Sequence, residues 1–231
     1  MADFLVHDFN QKHIKNSNED RQSTNFTLGK NVLDLGCGTG IGGICALLTG
    51  PEFVLFSDSC SIELAHSNVQ ELPNEKLYSG KFGLVEYEWS KIFEGQFPLD
   101  FRYGSCSSTA VATTTSSGLE PMGNCIWDSV LCSDVLYDSK HHTALLRLLE
   151  TLSFHQAVFV YKKRHEVEEE AFFESLSAWC DLDVVDPLKK EIPLVNIRQT
   201  DLSSLYIVIA KPLRLKPEAP RKGNVDRRTD R

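Results

Sequence analysis

Apolar residues along this chain fall into short runs that alternate with stretches of helical period. Val32-Leu33-Asp34-Leu35 is a short apolar run that ends in glycines, the pattern of a buried strand. Ile41, Ile44, Cys45, Leu47 and Leu48 follow at helical spacing, and Gly50-Pro51 stops that helix. Phe53-Val54-Leu55-Phe56 predicts a second strand closed by Ser57-Asp58, and residues 62–72 a second helix closed by Pro73. Leu84-Val85-Glu86-Tyr87 predicts a third strand and 126–132 a fourth, followed by a helix over 141–152. Residues 157–161 read as a fifth strand and 166–180 as an acidic-faced helix. Asp183-Val184-Val185 and the run 205–209 have no helix between them, so they predict an antiparallel pair.

Strands alternating with helices imply a parallel sheet covered on both faces. Right-handed crossovers then give a Rossmann-like, doubly wound α/β sheet of seven strands, with the antiparallel pair at its C-terminal end. Such sheets bind ligands at the carboxyl ends of their strands.

The organisation predicted is one domain over 31–210, preceded by a mostly polar, partly ordered segment at 1–30. Between 99 and 124 the pattern collapses, and nine of the thirteen residues from Ser105 to Ser117 are Ser or Thr, which reads as an insertion. From 211 to 231 the chain is rich in Pro, Lys and Arg, as a disordered basic tail would be.

Charge and cysteine content narrow the function. The net charge is −8, but 211–231 alone carry +5, leaving the other 210 residues at −13. An acidic body disfavours tracking nucleic-acid phosphates and suits a protein partner better. Seven scattered cysteines, with no CxxC pair, argue against a disulfide framework or a zinc ribbon and for reduced thiols in the cytosol or nucleus. Neither a signal peptide nor a membrane-spanning run is expected, and no residues are assigned to a metal. His141-His142 reads as a solvated pair. Lys162-Lys163-Arg164-His165, followed by four glutamates, reads as a solvated helix start.

The strongest local signal is Asp34-Leu35-Gly36-Cys37-Gly38-Thr39-Gly40-Ile41-Gly42-Gly43. Alternate glycines at a strand-to-helix turn let backbone lie against a ligand. Gly38, Gly40 and Gly43 also satisfy GxGxxG, which keeps a dinucleotide open. Asp58, at the end of the second strand, is placed to accept both ribose hydroxyls of a nucleoside. Asp34 would set a carboxylate near the ligand, which suits a cationic ammonium or sulfonium better than a pyrophosphate. Its alternative role is to cap the loop's amides.

These residues resemble motif I of the seven-β-strand S-adenosylmethionine-dependent methyltransferases, with Asp58 where that family carries its ribose-binding acid. Ser133-Asp134-Val135-Leu136-Tyr137, after the fourth strand, resembles the Asp/Glu-x-x-Tyr/Phe signature of the methyltransferase family 16 protein-lysine methyltransferases. Trp89 resembles the tryptophan near adenine in that family. The resemblance implies S-adenosylmethionine as cofactor, bound by Asp34, Gly36, Cys37, Gly38, Gly40, Asp58, Trp89 and Ser133. It implies Asp134 and Tyr137 as the catalytic residues serving the acceptor. The activity implied is methylation of a protein side chain, the ε-amine of a lysine, by a monomer. Alternatives are methylation of histidine, RNA or a small molecule, and a non-catalytic adaptor that keeps the fold.

Overall fold

The computed structural model describes residues 27–95, 102–103, 125–186 and 205–214. Strands β1 (Asn31–Leu35), β2 (Phe53–Asp58), β3 (Phe82–Glu86), β5 (Ile126–Ser133) and β6 (Ser153–Lys162) alternate with helices α1 (Ile41–Leu48), α2 (Ile62–Gln70), α3 (His142–Thr151) and α4 (Glu166–Ser177). The two-residue strand β4 (Arg102–Tyr103) precedes β5, and β7 (Cys180–Val185) and β8 (Leu205–Pro212) close the described chain. The sheet order is β4-β3-β2-β1-β5-β6-β8-β7. The five central strands run parallel, β4 lies antiparallel to β3, and β8 lies antiparallel to both β6 and β7. The expected doubly wound sheet with its antiparallel pair is therefore present, and β4 adds an eighth, edge strand.

Strand periodicity explains the two layers. Leu33, Leu35 and Leu55 face a core that takes in Leu145, Leu148 and Leu149 of α3 and Phe172 and Leu176 of α4. Their neighbours Val32, Val54 and Phe56 face the opposite core, with Ile44 to Leu47 of α1 and Ile62, Ala65 and Val69 of α2. Successive side chains of a strand point to opposite faces, so one apolar run supplies both cores. Ile41 and Leu48, which share the helical period, are instead about half exposed. The inner face of α1 is narrowed by Gly42 and Gly43, and only Ile44 to Leu47 bring apolar side chains into the core.

Several boundaries differ from the sequence reading, among them the start of β6 at Ser153 rather than 157. Helix α4 ends at Ser177 rather than 180, because Cys180 opens an edge strand that pairs with Pro212. The last strand runs on through Lys211 and Pro212, and the Leu213 N–H donates to the Trp179 carbonyl at 3.0 Å. The last strand thus extends two residues past 210, where the domain was expected to end. The remaining tail, residues 1–26 and all of the Ser/Thr-rich insertion except 102–103 lie outside the described residues. Among the described residues no helix is long and apolar enough to cross a membrane.

Candidate active site

The loop after β1 is tied down by its own amides. Gly36 and Cys37 both donate to the Ser57 carbonyl, at 2.8 and 2.9 Å, and Gly40 donates to the Cys37 carbonyl at 2.8 Å. The Gly38 N–H donates to Asp58 Oδ2 at 2.8 Å. Oδ1 of Asp58 accepts from the N–H groups of Cys60 and Ser61, each at 3.1 Å. Asp58 thus pins the glycine loop and starts the turn into α2 with the same carboxylate. A pyrophosphate cradle needs outward-pointing amides. Here the amides of Gly36, Cys37, Gly38 and Gly40 all donate to protein acceptors.

A cavity of about 350 Å³ opens at the carboxyl ends of the strands, where a doubly wound sheet places its ligand. Gly36, Gly38 and Asp58 line one wall; Tyr87, Glu88 and Trp89 line another; Ser133, Asp134, Val135, Tyr137 and His141 line the third. Its size lies within the roughly 300–1,000 Å³ of small-molecule sites. Three carboxylates line it (Asp58, Glu88, Asp134), and no Lys or Arg is among the described lining residues. That charge pattern favours a cation over a phosphate ester. A Cβ on Gly38 would meet nothing within 4 Å, so the backbone there borders open space.

Of the ten residues proposed from sequence, Gly36, Gly38, Asp58, Trp89, Ser133, Asp134 and Tyr137 converge on this cavity. Asp34, Cys37 and Gly40 do not line it. Asp34 is fully buried; its Oδ2 accepts the Gly43 N–H at 2.7 Å, and its Oδ1 has no hydrogen-bond partner. Burial pushes its carboxyl up to about 7, against the lowering effect of the Gly43 hydrogen bond. Asp34 thus caps the first turn of α1, the alternative role its sequence position left open, and does not line the cavity. The thiol of Cys37 is buried in the core on the α1 face and pushed well up, first by desolvation and then by Asp34 and Asp58. A Cβ on Gly40 would meet Ala65 and Phe56, so Gly40 faces α2 and the core.

Two histidines and one arginine also differ from their solvated readings. His142 is buried, its Nε2 3.2 Å from the Leu136 carbonyl. His141 lines the cavity, edge-on to Trp89 with ring centroids 6.2 Å apart. Arg164 reaches back to Asp134, with Nη1 on Oδ1 at 2.6 Å and Nη2 on Oδ2 at 2.8 Å. Lys163, as expected of a solvated helix start, pairs with Glu166 and Glu170. Among the cavity residues that sequence reading missed, Glu88 had a signal, since it directly precedes Trp89 at the end of β3. His141 and the pairing of Arg164 had none, because both depend on how loops from different strands meet.

A family model for lysine methyltransferases matches residues 117–179, the stretch that carries β5, α3, β6 and α4. Over that segment the chain matches the lysine methyltransferase family. No protein of curated function matches the sequence. Solved structures similar in overall shape include magnesium protoporphyrin IX methyltransferase from Synechocystis with bound S-adenosylmethionine (12% identity, TM-score 0.48, covering 92% of this chain and 97% of that one). Others are a candidate RNA methyltransferase from Pyrococcus horikoshii (15%, 0.48, 90% and 80%) and an S-adenosylmethionine-dependent methyltransferase from Mesorhizobium loti (13%, 0.46, 80% and 92%). Likeness at that level carries no statement about substrate. The matched segment covers 63 of the 231 residues. The segment contributes Ser133, Asp134, Val135, Tyr137 and His141 to the cavity, while the glycine loop and Asp58 lie outside it.

Proposed function

We propose that this protein transfers a methyl group from S-adenosylmethionine to the ε-amine of a lysine in another protein. The observation that supports this reading is a meeting of two halves. The lysine methyltransferase segment and the glycine loop, far apart in sequence, form the walls of one acidic cavity.

In this reading Gly36 and Gly38 lie along the nucleoside, Asp58 faces its ribose, Trp89 borders the adenine, and Asp134 and Tyr137 border the acceptor. When bound, the cofactor supplies an electrophilic methyl carbon on a positively charged sulfur. The acceptor nitrogen must arrive in line and unprotonated, because it attacks with its lone pair as the carbon–sulfur bond breaks and sulfur keeps that bond's electrons. The lysine ε-ammonium would first give one proton to water, and the methylated nitrogen would leave as a secondary ammonium carrying the positive charge that sulfur gives up. Tyr137, 57% exposed, stands at the mouth where an incoming side chain must pass. Buried Tyr87 and Val135, both lining the cavity, limit the water that reaches its walls.

The test is titration calorimetry of the purified chain with S-adenosylhomocysteine, followed by labelled methyl transfer into protein extract and acid hydrolysis of the products. Saturable binding and label recovered as methyllysine are expected. A chain that unfolds cooperatively yet binds no S-adenosylhomocysteine would overturn the enzyme reading. Label recovered as methylhistidine, or in RNA, would overturn the acceptor assignment alone.

A further inference from the structure

Asp134 sits at the carboxyl end of β5 with φ 55, in the left-handed region that aspartate enters more readily than most residues. Its N–H donates to the Val160 carbonyl at 2.8 Å, tying it to β6. The loop that leaves β6 supplies its partner. Arg164 grips both carboxylate oxygens in a two-pronged pair and also donates to the Lys162 carbonyl at 3.1 Å. That loop is in turn fixed from below by Glu169, 1% exposed, whose Oε1 accepts the N–H groups of Arg164 at 2.9 Å and His165 at 3.0 Å. A buried glutamate thus holds a backbone turn, the turn aims a guanidinium, and the guanidinium covers the carboxylate that borders the cavity.

We propose that Arg164 is a positioning residue that cancels the charge of Asp134 at the acceptor end of the cavity, so that the incoming nitrogen is received as a neutral amine. The inference rests on the methyltransferase reading above. A bare carboxylate beside an amine favours the ammonium form, which has no lone pair to attack with. A carboxylate already paired with a guanidinium presents little net charge, yet keeps acceptor capacity for the N–H of a neutral amine. Two further charged groups near the pair, Lys163 and Glu169, do not substitute for Arg164. Lys163 is tied to Glu166 and Glu170, and Glu169 is directed at backbone. His141, Tyr137 and the carboxylates of Glu88 and Asp58 line the same cavity as Asp134.

The cofactor and its product report the field at this end, because S-adenosylmethionine carries a sulfonium charge that S-adenosylhomocysteine lacks. Calorimetric affinities for both are measured on the full chain, on Arg164→Met, Arg164→Lys and Asp134→Asn, and on the Asp134→Asn/Arg164→Met double variant. Arg164→Met should raise the preference for S-adenosylmethionine over S-adenosylhomocysteine by about threefold or more, as expected for one uncompensated charge in a partly solvated site. Arg164→Lys should keep the wild-type ratio, Asp134→Asn should lower it, and the double variant should return it towards wild type. A purely structural role would weaken both ligands together and leave the ratio unchanged.

An unchanged ratio in Arg164→Met, or a shift that persists in the double variant, overturns the proposal. Should Arg164→Met not unfold cooperatively, Arg164→Gln and Asp134→Asn decide between the same two outcomes. Folded wild-type chain that binds neither ligand removes the methyltransferase reading and this inference with it. Binding of both ligands with a ratio indifferent to Arg164 removes this inference only.

Discussion

The indole of Trp89 lies against the Cα of Gly36. A Cβ built on Gly36 would stand 2.8 Å from Cζ2 of Trp89 and 3.1 Å from Cγ1 of Val135. Gly36 also has φ +67, so both space and backbone conformation demand glycine there. The first turn of the glycine loop and the segment after β3 are thereby locked together at the inner wall of the cavity.

Gly36→Ala should therefore displace Trp89 and weaken S-adenosylhomocysteine binding at least about tenfold, with a stability loss of about 1–3 kcal/mol from overpacking. Gly38→Ala has open space around its Cβ and should lose stability chiefly through its φ of +54, by about 1–2 kcal/mol. Calorimetric titration and urea unfolding of both variants check this. Equal losses of binding would contradict the separate placing of the two glycines.

Asp34 makes stability depend on pH in an unusual direction. Its folded-state carboxyl is raised from 3.8 to about 7, so the folded protein holds a proton that the unfolded chain releases near pH 4. The stabilisation linked to that proton is fully present below about pH 4 and is lost as pH rises to about 7, above which it levels off. Asp34→Asn keeps an oxygen for the Gly43 N–H and removes the titration. The melting temperature of this variant minus that of the wild type should grow between pH 4 and 7 and then hold constant. A flat difference would refute the buried, protonated carboxyl.

Asp58 is both loop pin and cavity wall. Three backbone N–H groups already occupy its oxygens, which leaves one of about four lone-pair positions for a ligand hydroxyl. Asp58→Ala should cost about 1–2 kcal/mol, as loss of a capping carboxylate does, and should weaken S-adenosylhomocysteine by more than that stability change accounts for. Asp58→Asn should keep part of the loop's order while still losing affinity. Comparing urea midpoints with calorimetric affinities separates the two effects.

Among the described cysteines Cys60 is the exposed one and lines the cavity, Cys125 is half-buried, and Cys37, Cys45, Cys132 and Cys180 are buried. Burial pushes the thiols of Cys37, Cys132 and Cys180 upward, which suppresses their thiolates. Among the described cysteines, N-ethylmaleimide should label Cys60 first, and bound S-adenosylhomocysteine should slow that labelling. Peptide mass mapping with and without ligand reads both outcomes. Faster labelling of Cys37 would contradict its buried placement.

Much of this was legible in the chain itself. Val32 to Leu35, Phe53 to Phe56 and Ile126 to Cys132 declare buried strands because apolar residues with few interruptions suit a sheet covered on both faces. The glycine loop and the Ser133-Asp134-Val135-Leu136-Tyr137 stretch follow strand ends, and in a parallel sheet strand ends with the same direction gather on one side. Seven of the proposed site residues accordingly share one cavity.

What the chain did not disclose depends on register and loop crossing. Asp34 lies two residues before Gly36, yet the alternation of β1 turns its side chain under α1, away from the cavity. Lys162-Lys163-Arg164-His165 gives no sign that its third residue reaches Asp134, thirty positions earlier; the pairing arises because β5 and β6 end side by side. The insertion of β8 between β6 and β7 likewise follows from pairing across the sheet rather than from order along the chain. Local periodicity is written in neighbouring residues, so sequence determined the strands, the helices and the side of the sheet where chemistry belongs. Contacts between distant segments exist only once strands have chosen their partners, so tertiary structure alone decided which carboxylate is buried, which is held by arginine, and which faces the cavity.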